Sequence, residues 1–396
     1  MSAGGLSTAR LGRMRDVMAG YVERGDVPGL VTLVSRRGET HVDALGMMAV
    51  GGHDPMRRGT IFRIASMTKP ITAVAAMILV EECKLRLDEP VDRLLPELAN
   101  RRVLTRIDGP VDDTVPANRP ITLRDLLTLR LGIGVVMVPP GHYPIQAAMA
   151  AAGLVPGPNP PARTPDEWMA RLGRLPLIHQ PGETWLYHTG FDILGVLIAR
   201  AAGQTLEQFL RERIFAPLGM KDTGFYVPAG KLDRLPPSYM TDPATGALTV
   251  HDDPSDSLWA RPPAFPSELV STVDDYLAFY QMLLNKGRYG RERILSRPSV
   301  DLMTTDQLTP EQKAAAHVFF GDNSGWGFGV AVTTRRDDLA AVPGRFGWNG
   351  GVGTSGYADP TEDMVGILMT QRLMDSPDPP RVFRDFWTSV YQAIDD

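Results

Sequence analysis

Strand-forming runs at both ends of the chain, with a helix-rich middle between them, limit the fold more than any other feature. Near the start, residues 30–35 and 40–45 are β-rich and flank Arg36-Arg37-Gly38-Glu39, a hairpin signal. Near the end, residues 328–334, 345–348, 354–358 and 364–370 read as strands separated by Gly, Asp and Pro. Leu11, Met14, Met18 and Tyr21 recur at helical spacing over residues 6–23, and Phe383, Phe386, Trp387 and Tyr391 mark an amphipathic helix over 382–394. Between them, residues 71–82, 123–130, 192–202, 206–214 and 274–285 read as helices. The expected architecture is α/β: an antiparallel sheet from both chain ends, flanked by helices, plus a mostly helical inserted region. Residues 1–69 and 286–396 would form the discontinuous sheet domain, and 70–285 the helical one, with a cleft between them. At 396 residues the chain is long enough for both.

Composition removes several classes of function. The net charge of −5 comes without a basic block, which argues against nucleic-acid partners and anionic membrane surfaces. Cys83 is the single cysteine, so an internal disulfide and a Cys-rich metal site are excluded. The longest apolar stretch, residues 71–80 broken by Thr72, is too short to span a bilayer. Arg10, Arg13, Arg15 and Asp16 interrupt the place where a secretory leader would be apolar, so a cytoplasmic location is expected. There is no HExxH, Walker A or GxSxG sequence, and the seven histidines show no ligand spacing. Residues 351–356 match GxGxxG, but no helical pattern follows, as a dinucleotide site would require. Neither a metal nor a cofactor is expected.

The chemistry concentrates in Phe62-Arg63-Ile64-Ala65-Ser66-Met67-Thr68-Lys69-Pro70. With 15 Ser and 6 Lys in the chain, chance supplies a Ser-x-x-Lys roughly 0.2 times. Pro70 is best tolerated in a first helical turn, which puts Ser66 at or near a helix N-terminus and Lys69 one turn on, on the same face. Orphan N–H groups at that end would favour an oxyanion. The alternative is an ordinary N-cap serine and a solvated lysine. A Ser–Lys nucleophile also needs a proton shuttle and oxyanion donors. Tyr187, in a polar turn just before a helix, could be the shuttle or simply core packing, and His188 beside it could tune the site or cap the turn. Gly347 to Thr354 supply a glycine-dense strand end whose amides could approach a substrate closely.

These three elements, in this order, resemble the serine β-lactamase/penicillin-binding-protein superfamily, specifically its class C-like branch, which includes the family VIII carboxylesterases. Further similar segments are Ile121–Thr128, Pro181–Gly195, Pro217–Thr223, Leu269–Thr272 and Phe346–Thr354. The resemblance implies Ser66 as nucleophile, Lys69 as general base, Tyr187 as proton-transfer assistant and an oxyanion hole from the backbone N–H groups of Ser66 and Gly351. It implies substrate contacts from Trp348, Asn349, Gly350, His188 and Thr189. Trp348 stands where lactamases and DD-peptidases bring Lys or His, and Thr189 where they bring Asn. An indole in place of a cationic carboxylate anchor favours a neutral, apolar acyl group. The expected partner is therefore a small-molecule ester, cleaved by a carboxylesterase. An acyltransferase with the same site, a β-lactamase or D-amino-acid peptidase, and a non-catalytic binding protein remain alternatives. Met137, Tyr143 and Trp259, in the long loops 132–165 and 236–266, are candidate pocket walls.

Overall fold

Every residue of β1 (Gly29–Arg36) is buried, so the strand must be covered on both faces. It turns through Arg37 (φ 49°) and Gly38 (φ 83°), the left-handed pair of a tight hairpin, into β2 (Glu39–Gly46). Next in the chain, β3 (Phe62–Ala65) leaves this sheet and pairs with β4 (Leu269–Ser271). The far end of the chain returns as β5 (Ser324–Trp326), β6 (Ala331–Thr333), β7 (Phe346–Gly350), β8 (Thr354–Asp359) and β9 (Met364–Thr370). The sheet is antiparallel, in the order β5-β6-β7-β8-β9-β1-β2, with β1 joining the two ends of the chain by pairing with β9. This computed structural model describes residues 4–157 and 159–396.

Side chains alternate along β1, and each set brings buried apolar residues to its face. Leu30 and Val34 pack with Met14, Met18, Phe386 and Val390 of α1 (Thr8–Glu23) and the C-terminal helix. Val31 and Leu33 belong to the larger core on the opposite face. That core holds α2 (Thr68–Glu81), α3 (Leu123–Leu127), α4 (Thr189–Ala202) and α5 (Val273–Leu284). The C-terminal helix, α6 (Arg381–Gln392), lies against α1. Helix α5, although on the helical side of the expected domain boundary, packs on β1, β8 and β9. It also ties the sheet to the start of α2: Tyr276 Oη donates to the Met67 carbonyl at 2.7 Å, and Tyr280 Oη to that of Gly356 at 2.7 Å.

Several local expectations change. The strand expected over 328–334 is β6 alone, because the chain turns at Gly327-Phe328-Gly329, with Gly329 at φ +76°, and pairs back on β5. The helix expected over 206–214 is α-helical only over Leu206–Leu210 and continues as a π-helical turn over Arg211–Phe215. Loop 132–165 contains the helix Pro144–Ala152, opened by proline at its first position and closed by left-handed Gly153. Pro158 of that loop lies outside the described residues, as do residues 1–3. Loop 236–266 contains the hairpin of Ser238–Thr241 with Leu248–Asp252. Among the described residues, no helix is long and apolar enough to cross a membrane.

Candidate active site

The chain leaves β3 through Ala65, whose φ of 40° is uncommon for a residue with a Cβ. Ser66 follows at once, and α2 begins two residues later with Met67 as its N-cap and no side-chain capping bond. The Ser66 hydroxyl is therefore not spent on capping the helix. Lys69 lies one turn along, and its Nζ donates to Ser66 Oγ at 2.9 Å. Both side chains are buried, which sets aside the solvated-lysine alternative.

Tyr187 and His188 come from the turn that opens α4. His188 is held at φ 83°, ψ −69°, a strained three-residue-turn geometry. The two side chains part company there. Tyr187 faces a cavity of about 980 Å³ that Ser66, Trp348, Asn349, Gly351, Met137 and Phe319 also line. Its hydroxyl oxygen accepts from Trp348 Nε1 at 2.6 Å, and its ring centroid lies 4.8 Å from Lys69 Nζ. Tyr187 thus meets Lys69 through its ring face. Among the described residues its hydroxyl makes no hydrogen bond to Ser66 or Lys69. Trp185, Phe319 and Trp348 surround Tyr187, and Trp326 meets Trp348 edge to face, so this wall of the cavity is aromatic.

Strand β7 borders the nucleophile directly. A Cβ on Gly350 would collide with the Ile64 carbonyl oxygen and with Thr354 Oγ1, so only glycine lets β7 lie this close to β3. Gly351 follows in the turn and lines the cavity with Ser66, the two positions whose amides would form the oxyanion hole. The Asn349 side-chain oxygen accepts from Ser355 Oγ at 2.7 Å. Of the expected substrate contacts, Trp348 and Asn349 line the cavity, whereas Gly350 is wedged against β3 and does not. Thr189 is fully buried at the start of α4 and its Oγ1 has no partner among the described residues. Met137 lines the cavity and Tyr143 does not. Trp259 packs instead with Ile61, Val227, Leu235 and Val270, in a separate small core.

The His188 turn directs its ring behind Lys69 rather than into the main cavity. Nδ1 lies 3.5 Å from Lys69 Nζ, and Nε2 lies 3.4 Å from Asp192 and 3.8 Å from Glu268. Burial pushes the Glu268 carboxyl up, with Asp192 reinforcing and Lys69 and His188 opposing that shift. Glu268 Oε2 has no hydrogen-bond partner among the described residues. Sequence reading did not single out Glu268, because nothing in its spacing distinguishes it from a surface acid. The residue with a legible signal was Asp192, one helical turn after His188. No three or more His, Cys, Asp or Glu side chains are placed to hold a metal ion among the described residues.

A hydroxyl bonded to an amine, beside two backbone amide positions and an aromatic wall, is equipped for acyl transfer. Fold and site together define a β-lactamase-like serine enzyme. The chain belongs to the beta-lactamase family, whose match spans residues 14–384. It is 39% identical over 366 residues to Protein Rv1367c of Mycobacterium tuberculosis (strain ATCC 25618 / H37Rv), covering 89% of this chain and 88% of that one. It is 30% identical over 351 residues to lovastatin esterase of Penicillium rubens, covering 82% of each. Among solved structures, the LovD6 mutant of simvastatin synthase from Aspergillus terreus superposes with a TM-score of 0.79 at 26% identity, over 100% of this chain and 98% of that one. Esterases and acyltransferases among these relatives support a serine hydrolase or acyl transferase of the β-lactamase superfamily.

Proposed function

We propose that the protein is a carboxylesterase that works through an acyl-enzyme on Ser66. The observation that carries this reading is the 2.9 Å hydrogen bond between Lys69 Nζ and Ser66 Oγ at the floor of an aromatic-walled cavity. Lys69 takes the hydroxyl proton while Oγ attacks the ester carbonyl. The backbone N–H groups of Ser66 and Gly351 receive the tetrahedral oxyanion. The proton passes to the leaving alkoxide with help from Tyr187, and water then releases the acid by the same steps. Trp348, an indole where a cation would anchor a β-lactam carboxylate, favours a short or medium acyl chain that is apolar next to the ester.

Ser66→Ala tests the assignment. Hydrolysis of p-nitrophenyl butyrate should fall by about a thousandfold or more while the protein stays folded, and a fluorophosphonate probe should label wild type only. Ester turnover at the wild-type rate in the variant would overturn the assignment. Transfer to an alcohol is a second reading, favoured by the likeness to a protein named simvastatin synthase. The two separate by partition: the acyl-enzyme is offered water and added alcohol, and the products are counted.

A further inference from the structure

Four arginines are buried among the described residues: Arg36, Arg63, Arg101 and Arg345. Arg36 pairs with Glu362 and Asp396, and Arg63 with Asp252. Arg101 donates to the carbonyls of Leu172, Gly173 and Leu175. Arg345 has no such oxygen. It is 8% exposed, and its guanidinium makes neither a hydrogen bond nor an ion pair among the described residues, with Nε and Nη2 buried and unpartnered. Its guanidinium carbon lies 4.1 Å from the Tyr357 ring centroid and 4.0 Å from that of Trp387. Aromatic faces offset part of the cost of burying a cation, but they do not satisfy N–H donors that point outward in the guanidinium plane.

The unsatisfied group borders the site already described. Arg345 lines both the large cavity and an annex of about 180 Å³, and the two share Asn349, Tyr357 and Arg384 as walls. Arg384 brings a second positive charge. Asp338 is the acid bordering both spaces, and it accepts from the Leu339 amide at 2.6 Å rather than pairing with Arg345. We propose that this annex is a carboxylate pocket, and that the substrate is an ester whose acyl chain ends in a carboxylate. The inference rests on the ester reading of Ser66 and deepens it. Nη1 is the guanidinium nitrogen not sealed off, and the two rings hold it in a fixed position to donate to a carboxylate oxygen in a charge-assisted bond. From Arg345 to Gly351 the strand runs six residues, roughly 20 Å. With the reach of the guanidinium subtracted, that is a span for a medium-length chain, lying on the Asn349 and Tyr357 side of β7 and charged at its far end.

The test compares p-nitrophenyl hemiesters of dicarboxylic acids, from succinate to dodecanedioate, with uncharged alkanoyl esters of matching length. The wild type should favour the charged partner by about tenfold or more in kcat/KM at one chain length, and the ratio should fall towards one in Arg345→Gln. Equal rates for both partners in the wild type, or a preference that survives in Arg345→Gln, overturn the pocket while leaving the esterase intact. Turnover of neither ester would instead count against the esterase. The pocket is then judged by calorimetric titration of suberate into wild type and Arg345→Gln. Saturable binding lost in the variant supports it, and absence of binding to wild type sinks it. Because the wild-type comparisons need no variant, misfolding of Arg345→Gln does not rescue the idea.

Discussion

At the scale of single residues, two side chains define the surroundings of the nucleophile. The Trp348 N–H donates to the Tyr187 hydroxyl and so fixes a phenol that is otherwise held by ring contacts alone. Trp348→Phe keeps most of the aromatic area and removes the donor. A lost hydrogen bond of this kind is worth about 1 kcal/mol, so kcat for p-nitrophenyl butyrate should fall several-fold with little loss of thermal stability. An unchanged kcat would mean that the bond does not orient Tyr187 for the reaction. Glu268 makes a different case. Its carboxyl is raised by burial, so the folded state holds the proton more tightly than the unfolded state does. The stability linked to that proton is complete below the unfolded carboxyl range and declines as pH rises through the raised value. Glu268→Gln mimics the protonated form, so its Tm relative to wild type should climb between pH 5 and pH 8, by about 2 °C or more. A difference that stays flat or falls across that range would contradict the raised carboxyl. Ser66, Lys69 and Tyr187 were legible because their residue types and spacing survive in one dimension. Glu268 was not, because what singles it out is the absence of water, which only the packed fold decides.

At the scale of elements, the cavity depends on how closely β7 approaches β3. Gly350 and Gly351 are adjacent in sequence and opposite in what surrounds them. A Cβ at Gly350 meets backbone oxygen of β3, whereas one at Gly351 meets nothing within 4 Å. Gly350→Ala should therefore cost about 1–3 kcal/mol or more of stability and lower esterase activity at least tenfold by pushing the strand away from Ser66. Gly351→Ala should leave Tm within about 1 °C, and comparing the two melting curves checks the difference. Similar Tm values for both would show that β7 is free to shift. Strands 29–36, 39–46, 354–359 and 364–370 were readable as β-rich runs bounded by Gly, Asp and Pro. The β5–β6 hairpin was not. Its strands are three residues each, too short for a period to show, and the turn at Gly327–Gly329 interrupts what reads as one apolar run.

At the scale of the whole molecule, the sheet closes only if the first and last parts of the chain stay together, and Arg36 ties them. It ends β1 with its side chain 1% exposed. Nη1 donates to the Gly4 and Gly5 carbonyls at 3.0 and 3.2 Å and to Asp396 at 2.9 Å, while Nη2 reaches Glu362 at 2.8 Å. One guanidinium therefore joins the segment before α1, the turn between β8 and β9, and the residues after α6. In sequence Arg36 belongs to the polar Arg-Arg-Gly-Glu hairpin and reads as an exposed turn residue, because its partners lie more than thirty positions away on one side and more than three hundred on the other. Arg36→Met would leave the Gly4 and Glu362 carbonyls short of a donor and the Glu362 carboxylate unpaired, while Gly5 keeps the Asp395 amide and the Asp396 carboxylate keeps Arg37. Those carboxylates retain access to water, so the expected loss is moderate, about 2–3 kcal/mol. Ser66 and its neighbours are built from other elements, so kcat/KM for p-nitrophenyl butyrate should stay within about twofold of wild type wherever the variant is folded. Urea denaturation followed by tryptophan fluorescence reads the first quantity and initial rates at 25 °C the second. If activity fell in step with stability under conditions where the variant remains folded, the two chain ends would be shaping the cavity itself rather than only holding the sheet closed.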